Sequence, residues 1–453
     1  MKICLITAFP PSGRQLNEYG LYLARELQRN PLVNLTILGD RLTEYEWNTD
    51  ASGKPFHKNQ EVSGFNVIRC WESNRMSSPL RLIKAVHDCK PDVVWFNLVY
   101  STFGTPEYPV AAFAGLCAPA VTRAMGYFTH VTLHHIVEHV DFAGAGVKRE
   151  WLYRLGSTLA TRVLLNASSV TVLLSAYRRT LARKYSVNNV LLGTHGIFAR
   201  SPTPPDFSRR GNPDQRLLAI GHWGTYKRLE TLMEAFPTVL RRVPTARLII
   251  AGSNHHTRPG YWESVRAKYG FNPRVEFRGY VQEDDLPELF STASVLILPY
   301  DSATGSSGPA HQACEYGLPI VSADIADFRA MAADEDMAIS FYKTGDPVDL
   351  AAQLIGLLES PQDQRMAAEQ NYAAAVRMTM PHVVRRYLRW FELERRKRDF
   401  GSSFAQRLPL MSRRRRASLR TVLHGLTPLG MSPYLSIPEE RMDAASASAA
   451  SED

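Results

Sequence analysis

The residues best suited to chemistry lie in the stretch LILPYDSATGSSGPAHQACEYGLPIVSAD, which spans 296–324. An apolar strand ends at Pro299, and a loop with Gly305, Ser306, Ser307 and Gly308 follows. Pro309 suits the first position of a helix running to Gly317. Backbone N–H groups of such a loop, together with a helix N-terminus, make a site for a phosphate, and glycines let the anion approach the backbone. The same residues read equally as a Gly/Ser strand-to-helix turn that holds no ligand.

A second group is Gly221 at a strand end, then His222 and, after WGTY, Lys227. A lysine placed just past a glycine at a strand end can reach a diphosphate in the same cleft. Taken singly, it is a solvated surface lysine. Both groups sit at carboxyl ends of strands, where open α/β sheets bind ligands.

A third group is VTLHH, with His134 and His135 after a buried strand. A histidine at that end can bond a hydroxyl or orient a reacting centre, or it can be purely structural. His139 and Asp141 follow, but His-His-x3-His-x-Asp is not a metal-binding order, and no metal or other cofactor is expected.

Alternating elements must position these groups. KICLITAF is a near-continuous apolar run, as expected of a strand covered on both faces. PPSGRQ is a turn, and NEYGLYLARELQRN places Leu21, Leu23, Ala24 and Leu27 on one helical side with Asn17 as the cap. LTILG, PDVVWFN and HVTLHH read as further strands. The second half restarts with LLAIGHW and an amphipathic helix TYKRLETLMEAFPTVLRRV. ARLIIAG, VEFRGY, SVLILPY and PIVSAD then alternate with helices. The fold class is α/β, with parallel sheets in two halves. The Pro-, Arg- and Gly-rich 197–214 marks the boundary, which gives domains at 1–199 and 213–378. A helix over 379–398 carries Val383, Val384, Tyr387, Leu388 and Phe391, and a tail fills 400–453.

Composition narrows the class. Hydrophobic residues are 45% and charged residues 21% of 453, the balance of an ordinary globular protein. Five widely spaced cysteines without a C-x-x-C pair speak against a disulfide framework or zinc site and for a reducing compartment. No apolar run reaches the roughly 20 residues of a membrane span, and Pro109 and Pro119 break 108–121. A cytoplasmic location is the expectation. The net charge of +9 is concentrated at 395–420, where Arg395 opens and Arg420 closes a stretch of ten Lys/Arg with one acid. The acidic end, DAASASAASED, is small and polar, a composition of disorder. A basic tail says little about nucleic acid, and none is expected as a partner. It would attract an anionic membrane surface at about 1 kcal/mol per residue, or simply be solvated.

Taken together, FPPSG…NEYGLYLAREL, VTLHH, His195-Gly196, IGHWGTYKRLETLMEAF, RLIIAG, VEFRGYVQEDDLPELFSTASVLILPY and Gly317–Pro319 resemble family 4 of the retaining glycosyltransferases, over roughly 1–395. The resemblance implies a GT-B fold: two Rossmann-like domains facing each other across a central cleft, with the helix at 379–398 crossing back to the first. It implies a nucleotide-diphosphate sugar donor on the second domain and a carbohydrate or lipid-linked acceptor mostly on the first. The family's diphosphate lysine falls on Lys227, its glycine loop near Gly13 and its active-site histidine on His134. Catalysis there needs no bound metal.

Two positions depart from the pattern. The family's arginine before the lysine is His222 here. Its Glu-x7-Glu pair falls on Thr304 and Gln312, neither of them acidic. Gln312 can still bond hydroxyls through its amide. Asp301 or the amides of Gly305, Ser306, Ser307 and Gly308 are candidates for the role of the first glutamate. A non-catalytic GT-B protein that binds nucleotide sugar or partners is the alternative, and a nucleotide-sugar epimerase a third reading for which no acidic catalytic pair can be placed.

Overall fold

The computed structural model describes residues 1–42, 48–49, 55–56, 64–105, 107–139, 150–207, 215–255, 258–302 and 305–407. The chain divides into two compact units, Met1–Leu388 and Arg389–Asp453.

The first unit opens with β1 (Lys2–Ile6), α1 (Asn17–Gln28) and β2 (Asn34–Asp40), then a short antiparallel pair, β3 (Asn48–Thr49) and β4 (Pro55–Phe56). It continues through β5 (Val67–Trp71), α2 (Ser78–Cys89), β6 (Val93–Leu98), α3 (Pro109–Leu116), α4 (Ala118–Ala124) and β7 (Phe128–Leu133). The series closes with α5 (Glu150–Leu164), β8 (Ser169–Val172), α6 (Ser175–Tyr185) and β9 (Val190–Leu192). Seven strands form one parallel sheet in the order β5-β2-β1-β6-β7-β8-β9. Every residue of β6 and β7 is buried because helices cover both faces, and the polar ones, Asn97, Thr129, His130 and Thr132, are hydrogen-bonded inside. Each fully buried Leu, Ile or Val side chain in these strands contributes roughly 1.5–3 kcal/mol.

A second parallel sheet follows within the same unit. It comprises β10 (Arg216–Trp223), β11 (Arg247–Asn254), β12 (Val275–Gly279), β13 (Val295–Leu298), β14 (Ile320–Ala323) and β15 (Ile339–Tyr342). The order is β12-β11-β10-β13-β14-β15. Between its strands lie α7 (Glu230–Arg242), α8 (Tyr261–Tyr269), α9 (Leu286–Ser291), α10 (Gly308–Glu315) and α11 (Ala326–Glu335). Then come α12 (Pro347–Glu359), α13 (Pro361–Arg377) and α14 (Met380–Arg407). Gly221 and Gly252 pair at the ends of β10 and β11. A Cβ on Gly252 would lie 1.8 Å from the Gly221 carbonyl oxygen, and its φ is 113°, so only glycine fits there.

The first turns of α14 return to the first sheet. The Tyr387 ring lies 4.5 Å from Trp95, and its hydroxyl is 3.3 Å from that of Thr132. Arg386 donates to the Thr194 hydroxyl and the Leu192 carbonyl. Within the second unit, α14 is laced by ion pairs of Arg395 and Arg396 with Glu392 and of Lys397 with Glu394. The basic stretch expected at 395–420 lies outside the described residues from 408 onward, as does the acidic end.

Two local expectations change. Asn17 is the first residue of α1 rather than its cap; Leu16, at φ 73°, precedes it, and the Asn17 amide instead donates to the Ser12 carbonyl. The helix after β10 starts at Glu230, so Lys227 lies outside it. Lys227 pairs with Tyr300 across an isolated antiparallel bridge, and that pairing holds 224–229 as a turn instead of a helix.

Candidate functional site

The site forms where the carboxyl ends of the two sheets meet. Lys227 is held there by its own backbone. Its carbonyl accepts from the Gly224 amide at 3.0 Å, and the Asp301 amide donates to Tyr226 at 2.8 Å. These bonds tie the turn after β10 to the chain leaving β13. The Lys227 ammonium lies 4.8 Å from the Tyr300 ring centroid and 6.0 Å from that of Tyr226. Its stem runs over Gly221, where a Cβ would meet Cδ at 3.5 Å. Burial lowers its pKa and Tyr226 partly offsets this. Among the described residues no carboxylate pairs with it. A cation withdrawn from water and stabilised only by ring faces favours an incoming anion.

Gly305 begins the described part of the loop; Thr304 lies outside the described residues. Gly305 has φ 87°, and a Cβ would fall 2.6 Å from the His134 carbonyl oxygen. The loop of the second half therefore touches the end of β7 in the first. The Gly305 amide donates to the Tyr177 hydroxyl at 2.6 Å and to Asp327 at 3.0 Å. Tyr177 also donates to Asp327, whose other oxygen stands 3.0 Å from His139 Nδ1. Asp327 thus joins the two halves. The Ser306 hydroxyl is buried without a partner among the described residues. Ser307 caps α10 by accepting from the Ala310 amide. A Cβ on Gly308 would meet nothing within 4 Å, so space opens beside the first turn of α10.

One turn along, His311 is 1% exposed, between the Ser307 carbonyl at 2.7 Å and Glu335 at 2.8 Å. Both ring nitrogens face acceptors, so both carry protons, and the ring is an imidazolium. Burial pulls its pKa down, but Glu335 and the Ser307 carbonyl outweigh it and the net shift is upward. The imidazolium braces the loop from behind. Neither residue stood out in the sequence; a histidine one turn into a helix carries no signal until its carboxylate is placed.

His134, by contrast, is neutral. Its Nε2 is 2.7 Å from Asn97 Oδ1, and the Asn97 amide donates to the Thr7 hydroxyl at 3.1 Å. That chain orients Asn97 so that Nε2 of His134 carries the proton and Nδ1 keeps its lone pair. Burial, with a smaller contribution from His135, lowers its pKa to about 3. Tyr19 packs edge-on at 4.7 Å.

The other expected residues disperse around this centre. His222 is exposed and bonds Ser253 at 3.0 Å. Asp301 is half-exposed, with Arg228 3.7 Å away. Burial raises its pKa and Arg228 opposes the rise. Arg228 is a cation beside Lys227 that sequence reasoning passed over; its partner Glu230 shares it. Gln312 is half-buried, and its side-chain amide has no hydrogen-bond partner among the described residues. Gly13 is exposed in the loop after β1. The neighbouring Ser12 hydroxyl donates to buried Asp40 at 2.5 Å, which anchors that loop. Asp141 lies outside the described residues. Among the described residues no group of three His, Cys, Asp or Glu could hold a metal ion.

Comparison with known proteins bears on the fold that carries these features. Residues 214–360 match the family "Glycosyl transferases group 1". Sulfoquinovosyl transferase SQD2 of Arabidopsis thaliana is 25% identical over 299 residues, 63% of this chain and 53% of that protein. The GDP-mannose:cellobiosyl-diphosphopolyprenol alpha-mannosyltransferase of Xanthomonas oryzae is 24% identical over 180 residues, 39% of this chain and 46% of that one. The chain therefore spans about half the length of these curated relatives. Among solved structures, Anabaena HepE in complex with UDP aligns with a TM-score of 0.60 at 16% identity, covering 86% of this chain and 100% of that one. Sucrose-phosphate synthase from Thermosynechococcus elongatus aligns with a TM-score of 0.64 at 14% identity, covering 86% and 98%. The architecture of this chain is the GT-B fold, with two Rossmann-like parallel sheets meeting at their carboxyl ends.

Proposed function

We propose that the protein is a glycosyltransferase that moves a sugar, a hexose in our reading, from a nucleotide-diphosphate donor to a polysaccharide or lipid-linked acceptor, with retention of configuration. The observation that carries this is Lys227: a lysine drawn from water without a carboxylate partner among the described residues, beyond the carboxyl end of β10 and against the ring of Tyr300, on the chain that leads from β13 to α10. The match of 214–360 to a glycosyltransferase family supports it, since that span holds Lys227 and the loop that starts α10.

In this reading residues 213–378 hold the donor and residues 1–199 the acceptor. Lys227 and the amides of Ser306 and Gly308 meet the diphosphate, with the positive end of α10 behind them. Charge grows on the bridging oxygen as the glycosidic bond breaks, and preorganised donors stabilise it. The departing diphosphate guides the acceptor hydroxyl onto the same face of the sugar. His134, neutral with a free Nδ1 lone pair, accepts a hydrogen bond from a sugar hydroxyl. Gln312 and Asp301 hold donor hydroxyls in place of the absent glutamates, and His222 and the Gly13 loop border the site. The work is placed on the cytoplasmic side, with the basic tail against the membrane.

A second reading, donor binding without transfer, rests on Gly305. Its amide is already committed to Tyr177 and Asp327 and so is not open to a phosphate. A panel of nucleotide sugars decides between them. Thermal stabilisation by one donor, followed by release of its nucleoside diphosphate only when acceptor is added, supports transfer. Stabilisation without any turnover supports the second reading. Lys227→Ala with unchanged turnover sinks the donor-site assignment.

A further inference from the structure

The first sheet carries an outer helical face that the donor site does not use. On α5 the side chains at 151, 155 and 159 share one side of the helix. Trp151 is 69% exposed, Leu155 51% and Leu159 48%. The opposite side holds Ala160, Thr161 and Leu164, all buried, so the helix is already seated on its core. Helix α3 packs against α5 and adds Val110, 66% exposed, and the exposed Phe113. Single exposed apolar residues are ordinary on a folded protein; five on two touching helices are not.

Charge decides what the strip fits. Arg154 and Arg162 are exposed on α5, and Arg123 on α4, which also contacts α5. Arg123 donates to the backbone carbonyls of Asn166 and Ala167, and Arg162 sits over the Tyr185 ring, so among the described residues neither of these two is in an ion pair with a carboxylate. The sequences of α3 and α4 contain no acid, and the only acid of α5 is Glu150 at its start; Glu107 precedes α3. Tryptophan and leucine flanked by arginines on one helical side match the boundary between headgroups and acyl chains, where the rings and methyls enter and the guanidinium groups meet phosphate. A second copy fits poorly, because a twofold contact would set these arginines against their own copies.

We propose that the α3–α5 face is a docking surface for a bilayer containing anionic phospholipid. It does not depend on the transfer reading, because vesicle binding is measured without donor or acceptor. It is also distinct from the basic tail.

The test is co-sedimentation of the full chain with phosphatidylcholine vesicles containing about one-third phosphatidylglycerol, and with phosphatidylcholine alone. Wild type should bind the first and not the second. The variant W151E/L155E/L159E should lose about tenfold in binding while keeping its melting temperature and its mass by light scattering. The tail variant R413Q/R414Q/R415Q/R416Q should keep the greater part of the wild-type binding. Should the triple variant fail to fold, L155K alone should weaken binding about threefold. The proposal is overturned if W151E/L155E/L159E, or L155K in its stead, binds as wild type does. A wild-type dimer that the triple variant converts to monomer overturns it in favour of a second copy. Loss confined to the tail variant overturns it as well.

Discussion

Lys227 and His134 each lie just beyond the carboxyl end of a parallel strand, after β10 in one sheet and after β7 in the other, yet they meet opposite fates. Lys227 is lowered in pKa by burial and lies against ring faces, with no carboxylate partner among the described residues. His134 is buried with a donor–acceptor chain through Asn97 and Thr7 already satisfying Nε2, and is neutral. Strand ends in two like sheets can therefore present a side chain without a carboxylate partner in one place and a neutral hydrogen-bonded ring in another. The difference is whether burial comes with a partner. His311 is a third case: as buried as His134, but kept charged by Glu335.

The largest effect that would break this comparison is at the lysine. Lys227→Ala should lower donor turnover by roughly 10²–10³-fold, about 3–4 kcal/mol of lost transition-state stabilisation, read in initial rates at saturating acceptor. Lys227→Met should remove the same turnover and yet raise the melting temperature of the free protein, since a withdrawn charge is replaced by an apolar chain. A fall in melting temperature would mean that the ammonium is satisfied in the free protein.

Next in size is the charged histidine. Glu335→Gln leaves His311 without its counter-charge and should cost about 3 kcal/mol in urea unfolding at neutral pH. The folded-state pKa of His311 is raised, so its contribution is full below the ordinary histidine range and fades as pH rises through the folded value. The variant should therefore lose more against wild type in mild acid than in mild alkali.

The neutral histidines predict the reverse. His130 and His134 have folded pKa values of about 3, below their unfolded values. They favour the folded state above about pH 6.5 and lose that contribution as pH falls, each by roughly 2 kcal/mol by pH 5. Stability of His134→Gln should accordingly depend less steeply on acid than that of wild type, checked by denaturant melts across pH 7 to about 4.5.

The smallest effect sharpens the donor end. Asp301→Asn removes a half-exposed partner of Arg228 and should alter stability by less than about 1 kcal/mol. If Asp301 also holds the donor sugar, the same variant should raise KM for the donor by roughly tenfold with kcat little changed.

Legibility from the sequence followed the reach of each interaction. The apolar runs KICLITAF, PDVVWFN and SVLILPY read as buried strands because burial on both faces leaves no room for alternation, and all three lie in the parallel sheets. The Gly/Ser loop and its helix were legible for a local reason: Ser307 and Pro309 start α10 within four residues of chain. The place of Lys227 was read one step too far into a helix, because Leu229, Leu232 and Phe236 carry the helical period and nothing nearby reveals the bridge to Tyr300.

What the sequence determined by itself was the alternation of buried strands and helices in two halves and the residue types waiting at several strand ends, since these follow from burial period and turn chemistry over a few residues. The tertiary structure alone decided the rest. It set Asp327 between Tyr177, His139 and Gly305, of which Tyr177 is 150 and His139 188 residues away in the chain. It paired His311 with Glu335 and His134 with Asn97, and so chose which histidine is charged. Charge in a buried site depends on partners brought by other strands and on the water they exclude, and neither is written in the local pattern of the chain.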